Sequence, residues 1–276
     1  VGWLVTPHNI SEKVIYQSSH QHHENLLLDT LLTEGVAFKP SQWAQEDLHF
    51  DSNWREFKNH WDRLKIDNYM KDNGKYRERR YSTLFYDSNN GVVKKPYMPL
   101  FKSSLYNSFA GDQFRYFAET ELTLYSNYYF LNVLSLALDL FNTYEIKDNK
   151  LPKWFIEVDQ YRIKAEENRL GKPTPEGVHS DGTSYFLLML VSRENIVGGE
   201  STIYNSEMDP VLHKTLKNPG DILLLNDRDM FHGVSDIATN SDKGHRDILH
   251  ISFTNLNSDS AICRRFGLER SVNLIV

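Results

Sequence analysis

At 276 residues, 40% hydrophobic and 25% charged, the chain is long enough for one large domain with a substantial core and has the composition of a soluble globular protein. A net charge of −6 argues against a general nucleic-acid binder, which needs a basic footprint, and no run of ~18 apolar residues offers a membrane span. The single Cys263 excludes an internal disulfide and fits a reducing, cytoplasmic compartment.

Residues 1–25 are polar, with His20, His22 and His23 close together, and read as a loosely ordered lead-in rather than a metal site. Asn25–Leu32 is apolar enough for a short helix, and Gly35 stops it before a first strand, 36–39. Asp51–Leu64 carries Trp54, Phe57, Trp61 and Leu64 at three-and-four spacing, an amphipathic helix whose aromatic stripe belongs to the core. Lys71, Lys75, Arg77, Arg79 and Arg80 form a basic run before the strand-like Tyr81–Tyr86. Such a run is ordinarily a solvated face. Asp87–Lys95 is rich in turn residues and Pro96–Pro99 is a stiff connector.

Gln113–Leu140, aromatic and Leu-rich, is predicted to be mostly helical. Pro152–Ile163 reads as a long strand with Phe155, Glu157, Asp159, Tyr161 and Ile163 on one face and Ile156, Val158, Gln160 and Arg162 on the other. Polar residues on both faces suit a strand lining a wet cavity, or an edge strand. The charged loop Lys164–Pro175 is placed to act as a lid.

The chemistry concentrates in residues 176–253. His179-Ser180-Asp181 precedes the apolar strand Ser184–Val191; a Gly198-Gly199 turn leads to a second strand, Glu200–Tyr204. A Pro219-Gly220-Asp221 turn opens the run Ile222–Leu225, which leads to Phe231-His232; Arg246 stands before the strand Ile248–Phe253. Residues two apart on an extended segment point the same way, so His179 and Asp181 can converge on one ion. His232, 53 residues beyond His179, must reach it from another strand. Two imidazoles and one carboxylate with open positions suit non-haem Fe(II). An H-x-D alone is a weak signal, and a surface His beside a turn Asp explains it equally; the ordered set of strand, turns, His and Arg strengthens it. Asp227 and Asp229 read as loop carboxylates. His245 and His250 are rival ligands placed behind His232.

These pieces resemble the Fe(II)- and 2-oxoglutarate-dependent dioxygenases, and more narrowly the bacterial amino-acid hydroxylases that include L-isoleucine 4-hydroxylase. The likeness lies in Pro175–Gly182, Arg193–Tyr204, Phe231-His232 and His245-Arg246-Asp247, and more loosely in Gln160-Tyr161-Arg162 and Arg80-Tyr81-Ser82. It implies Fe(II) on His179, Asp181 and His232, with 2-oxoglutarate and O2 as co-substrates. The products would be succinate, CO2 and a free L-amino acid, or close derivative, hydroxylated at an unactivated C–H.

Arg246 would hold the distal carboxylate of 2-oxoglutarate through a planar fork; pairing with Asp247 is its structural alternative. For the amino-acid substrate the candidates are Arg162, Gln160, Tyr161 and Arg80, with Arg79 beside Arg80. Glu157 and Asp159 are candidate ammonium partners on the strand face opposite Arg162. A structural ion pair explains Arg162 equally well.

Helices concentrated in the first half and short strands in the second indicate an α+β fold. With the motif order, the expectation is one domain: a double-stranded β-helix (jelly roll) core supported by N-terminal helices. Two other functions stay open on the same barrel: a metal-dependent hydrolase, lyase or isomerase, and a non-enzymatic ligand-binding jelly roll. Halogenation is disfavoured, because related halogenases replace the ligand carboxylate that Asp181 supplies. A small-molecule partner is expected, with neither nucleic acid nor membrane.

Overall fold

The computed structural model describes residues 4–5, 18–42, 48, 51–148 and 150–258. The side chains of His20, His22 and His23, and Cys263, lie outside what it describes, so the expectations made for them go no further.

Among the described residues the first half supplies β1 (Leu4–Val5), α1 (Ser18–Glu34), β2 (Val36–Lys39), α2 (Ser52–Asn59), β3 (Lys65–Ile66), β4 (Arg77–Asp87), β5 (Gly91–Lys94) and α3 (Tyr128–Glu145). The second half is β6 (Trp154–Glu166), β7 (Tyr185–Glu194), β8 (Val197–Gly198), β9 (Glu200–Tyr204), β10 (Pro210–Thr215), β11 (Ile222–Asn226), β12 (Phe231–Val234), β13 (Ile237–Ala238) and β14 (Lys243–Asn255). A nine-stranded antiparallel sheet runs β1-β5-β4-β6-β14-β7-β11-β2, with β3 added beside β4. A second sheet, β10-β9-β12, and the pair β13-β8 complete the strands. This is the expected jelly roll with helices on one side.

Strand alternation decides what each face of the large sheet does. Trp154, Ile156, Val158, Tyr185, Leu187, Met189, Leu249, Ile251 and Phe253 point outward and form one core with Leu31, Trp54, Phe57, Phe130 and Phe141 of the three helices. Phe186, Leu223 and Leu225 point the other way and pack with Ile203 of the small sheet. The helical layer therefore supports the sheet from outside, and the space between the sheets is left for a site. Gly35 makes the corner from α1 into β2: its φ of +71° suits glycine, and a Cβ there would lie 2.3 Å from Met230 Cε.

Several boundaries differ from expectation, beginning with the helix expected over Asn25–Leu32, which runs Ser18–Glu34 and reaches back into the expected lead-in. The helix expected over 113–140 begins only at Tyr128, because the Asn127 side chain accepts the Tyr129 N–H at 2.9 Å and caps it. A 3-10 turn, Leu122–Ser126, precedes it, and the segment before that is irregular, bridged at Arg115 to Leu100. Aromatic density, not helical period, misled the reading there. The helix expected over Asp51–Leu64 ends at Asn59 and passes into a 3-10 turn, Trp61–Arg63. The strand expected to end at Ile163 continues to Glu166.

Trp61 links the helical layer to the sheet's backbone. Its indole N–H is shared between Tyr161 O (3.1 Å) and Ile248 O (3.2 Å), beside the register shift between Asp247 and Ile248 in the β14–β7 ladder. Trp61 is fully buried, so its removal leaves acceptors that water reaches poorly. Trp61→Phe keeps most of the apolar contact but loses the donor, and should cost about 1–3 kcal/mol in a urea unfolding titration. A midpoint equal to that of the wild type would show the bond to be dispensable.

Candidate metal centre and cavity

The geometry of the centre begins with a backbone bridge. His179 N donates to His232 O at 2.9 Å and His232 N to His179 O at 2.8 Å. Residues that exchange both bonds sit directly opposite with side chains on one face, and the imidazole centroids are 4.4 Å apart. Asp181 joins them by its two-residue offset, as expected. Donor atoms of His179, Asp181 and His232 all lie within 4.8 Å of one another.

The donor chemistry fits a metal ion. His179 Nδ1 lies 3.0 Å from Gly177 O, so Nδ1 carries the proton and Nε2 is left to bind. Burial and the neighbouring His179 push the His232 pKa well below its ordinary value, leaving that imidazole neutral, and its buried Nδ1 has no hydrogen-bond partner. The His179 pKa is raised: burial opposes this, but Asp181 and Glu176 outweigh it. The field that favours a proton there also favours a metal cation. Burial alone would raise the Asp181 pKa, yet Lys102, His179 and His250 hold it well below the carboxylate range. Lys102 Nζ forms an ion pair with Asp181 Oδ1.

Asp227, expected to be an ordinary loop carboxylate, is fully buried beneath this turn. It accepts from Asp181 N (2.9 Å), Thr183 N (2.7 Å) and Thr183 Oγ1 (3.1 Å). Burial and the Asp181 charge push its pKa up to about 6.

The triad opens into a cavity of about 90 Å³ whose walls include Tyr161, Leu188, Arg246, Ile248 and His250. A cover is added by Leu100, Lys102, Asn107 and Arg115, and by Pro173, Thr174 and Glu176. The expected lid, 164–175, thus contributes Pro173 and Thr174, while the residues 100–115 went unanticipated. Arg246 is 2% exposed, and its Nε and Nη2 have no partner. Burial and the adjacent Arg193 push its pKa down to about 9. Asp247 does not neutralise it, because that carboxylate is on the outer face and is bound by Arg162.

The substrate candidates divide. Tyr161 lines the cavity. Arg162 does not: strand alternation turns it outward, where Nε and Nη2 grip both oxygens of buried Asp247 at 2.8 Å and Nη2 also reaches Asp62 at 3.0 Å. Gln160 is on that same outer face, fully buried. Arg80 is turned away too, donating to Arg63 O (3.2 Å) and to Glu119 O (2.5 Å). Its neighbours Arg77 and Arg79 face the cavity instead. Arg77 pairs with Asp67 at 2.8 Å. Arg79 pairs with Asp159 and lies 3.9 Å and 4.7 Å from the Phe117 and Tyr161 ring centroids. Asp159 is thus spoken for, and Glu157 accepts from Tyr81 at 2.6 Å.

Of the rival ligands, His245 points to Asp247 on the outer face (3.4 Å), whereas His250 faces inward with Nε2 3.4 Å from Asp181 Oδ2. Burial opposes it, but Asp159 and Asp181 raise the His250 pKa to about 9. It braces the carboxylate and is not one of the converging triad.

A jelly roll with two histidines and one carboxylate converging between its sheets is the architecture of a non-haem iron oxygenase. The chain belongs to the 2OG-Fe dioxygenase family, whose sequence profile, described as 2OG-Fe dioxygenase, matches residues 58–252. The family uses Fe(II), 2-oxoglutarate and O2. No curated protein matches the chain in sequence. Among solved structures, a bsmA homolog from Methylobium petroleophilum PM1 is similar with a TM-score of 0.74 at 23% identity, over 84% of this chain and 93% of that one. IDO from Bacillus thuringiensis is similar with a TM-score of 0.69 at 19% identity, over 84% and 99%. The Fe(II)/(alpha)ketoglutarate-dependent dioxygenase TqaL follows with 0.66 at 14%, over 88% and 92%. At these identities the likeness is one of fold.

Two measurements test the electrostatics of the site. Replacing His179, Asp181 or His232 with Ala should each abolish stoichiometric retention of a divalent transition metal after desalting. Retention by His232→Ala together with loss by His245→Ala would move the third ligand. Separately, burial raises the Asp159 pKa, but Arg79 and His250 outweigh it and hold the group to about 2, below its ordinary 3.8. The unfolded chain therefore binds more protons between these values, so the stabilisation is complete above about pH 4 and is lost as pH falls through about 2. Asp159→Asn should melt below the wild type near neutral pH, with the gap closing in acid; a gap independent of pH would contradict the pairing.

Proposed function

We propose that this protein is an Fe(II)- and 2-oxoglutarate-dependent hydroxylase of a free L-amino acid or close derivative, with iron held by His179, Asp181 and His232. The observation that carries this reading is that the convergent triad and the buried, unpartnered fork of Arg246 line one cavity. Bound Fe(II) supplies, with 2-oxoglutarate and O2, the means of replacing an unactivated C–H by C–OH as 2-oxoglutarate leaves as succinate and CO2.

The chain's own residues orient and enclose. His179 is fixed in the binding tautomer by Gly177 O, Asp181 is positioned by Asp227 and His250, and Arg246 offers two parallel donors to a distal carboxylate. A buried guanidinium without a counter-ion is costly, and a dicarboxylate co-substrate removes that cost on binding. A small cavity with arginines and Glu176 in its lining favours a compact zwitterion over a polymer. Tyr161 closes one side. No described helix is long and apolar enough to cross a membrane, and a net charge of −6 disfavours a nucleic-acid partner.

Arg246→Lys and Arg246→Ala should both raise the KM for 2-oxoglutarate by roughly one to two decades, the worth of a charge-assisted pair. An unchanged constant in both variants removes Arg246 from that role. For the substrate, protein loaded anaerobically with Fe(II) and 2-oxoglutarate is exposed to oxygen with each proteinogenic L-amino acid, and succinate and hydroxylated product are measured. At least one free amino acid should couple the two stoichiometrically. Coupled turnover of a peptide whose free amino acid is inert would overturn the substrate class.

A further inference from the structure

The cavity holds a second guanidinium with no ion-pair partner. Arg77 and Arg79 are each taken by a carboxylate, Asp67 and Asp159 respectively. Arg115 is not: it is 2% exposed, lines the cavity, and its buried Nε has no hydrogen-bond partner. Among the described residues no carboxylate stands within ion-pair distance of it. Burial, and after it the neighbouring Arg79, push its pKa down to about 10, and the weaker attraction of Asp67, already paired with Arg77, does not offset them. Such a charge is ordinarily neutralised or solvated.

Its placement is nevertheless held firmly. Arg115 N donates to Leu100 O at 2.8 Å and Leu100 N to Arg115 O at 3.0 Å, which ties its backbone into the cover. The Phe117 ring centroid lies 6.0 Å from its guanidinium carbon. Arg246, by contrast, sits on β14 with Arg193 as its charged neighbour. The two unpaired forks therefore occupy different electrostatic neighbourhoods of one cavity, one on the barrel and one on the cover. One co-substrate carboxylate cannot account for both.

We propose that Arg115 anchors the carboxylate of the primary substrate, so that the cavity receives two acids: 2-oxoglutarate on Arg246 and the substrate on Arg115. This rests on the hydroxylase reading above and names the group by which the substrate is recognised. A planar fork pairs bidentately with a carboxylate, and the bond forms where water is scarce. A carboxylamide in the same place would leave the guanidinium uncompensated.

The test uses the protein loaded anaerobically with Fe(II) and 2-oxoglutarate. Binding is followed by calorimetry with three probe sets: proteinogenic L-amino acids, their carboxylamides, and their deaminated acids. In the wild type an acid should bind at least roughly 10-fold more tightly than its amide. Arg115→Gln should erase that preference, weakening the acid roughly 10- to 100-fold, while the KM for 2-oxoglutarate stays within twofold or so of wild type. Arg115→Lys, which keeps the charge but not the fork, should fall between. The melting temperature of ligand-free Arg115→Gln should equal or exceed that of the wild type, because a buried unpaired charge is removed; a purely structural arginine would lower it. Amides binding as well as acids, an acid bound equally by Arg115→Gln, or an effect confined to 2-oxoglutarate would each overturn the assignment. Deaminated acids that bind through Arg115 while amino acids do not would sustain the anchor and sink the amino-acid reading. A wild type that binds no probe would overturn both.

Discussion

The buried carboxylate of Asp227 is the constraint on which the centre depends. It has no cationic partner of its own and is satisfied instead by two backbone amides and a hydroxyl of residues 181–183. Because those donors belong to the turn carrying Asp181, the cost of burying Asp227 is offset only when that turn has its native shape. Ser180 adds a bond from its hydroxyl to Asp227 O at 3.0 Å. The loop before β12 and the loop before β7 are thereby locked together, and the exchanged amides of His179 and His232 continue the same zipper. The three donors converge because two loops far apart in sequence share one hydrogen-bond network, with His250 completing it from β14.

The cavity's charges follow a consistent economy. The two candidate arginines turned away from it have partners: Arg162 with Asp247 and Asp62, Arg80 with backbone carbonyls and Glu121 at 3.3 Å. Within the lining, Arg77 and Arg79 have carboxylates, and Lys102 has Asp181. The exceptions are Arg115 and Arg246. Buried charge without an ion-pair partner is a cost borne by the fold, and at Arg115 and Arg246 it stands where acidic small molecules would relieve it.

The jelly roll and the triad were legible because strands carry a period of two and ordered turn residues separate them. Leu187 and Phe186 alternate in the sequence as they do in the two cores, and His179 and Asp181 share a face for the same reason. The parity argument applied to β6 correctly set Arg162 and Tyr161 on opposite faces, but it does not say which face is inside; the register with β14, pairing Arg162 with Asp247, decides that. The same parity in β4 separates Arg79 from Arg80, a signal present in the sequence. Arg115 and Lys102 carried no such signal. They lie in irregular chain, where no period links a residue number to a direction, and the aromatic run around Phe114, Tyr116 and Phe117 imitates a helix. Asp227 looked like any turn carboxylate, since burial by a distant loop leaves no local mark.

The Leu100–Arg115 bridge has a consequence for how such a protein can change. The barrel positions the triad and Arg246 through long ladders, in which a one-residue insertion would turn every side chain to the wrong face. The cover reaches the same cavity as a closed excursion of chain, fastened by a two-bond bridge between Leu100 and Arg115. Insertions and deletions inside that excursion need not shift any strand. The candidate metal ligands and the proposed substrate anchor thus lie on separable pieces of chain. A lineage can keep the first intact while redrawing the second a few residues at a time.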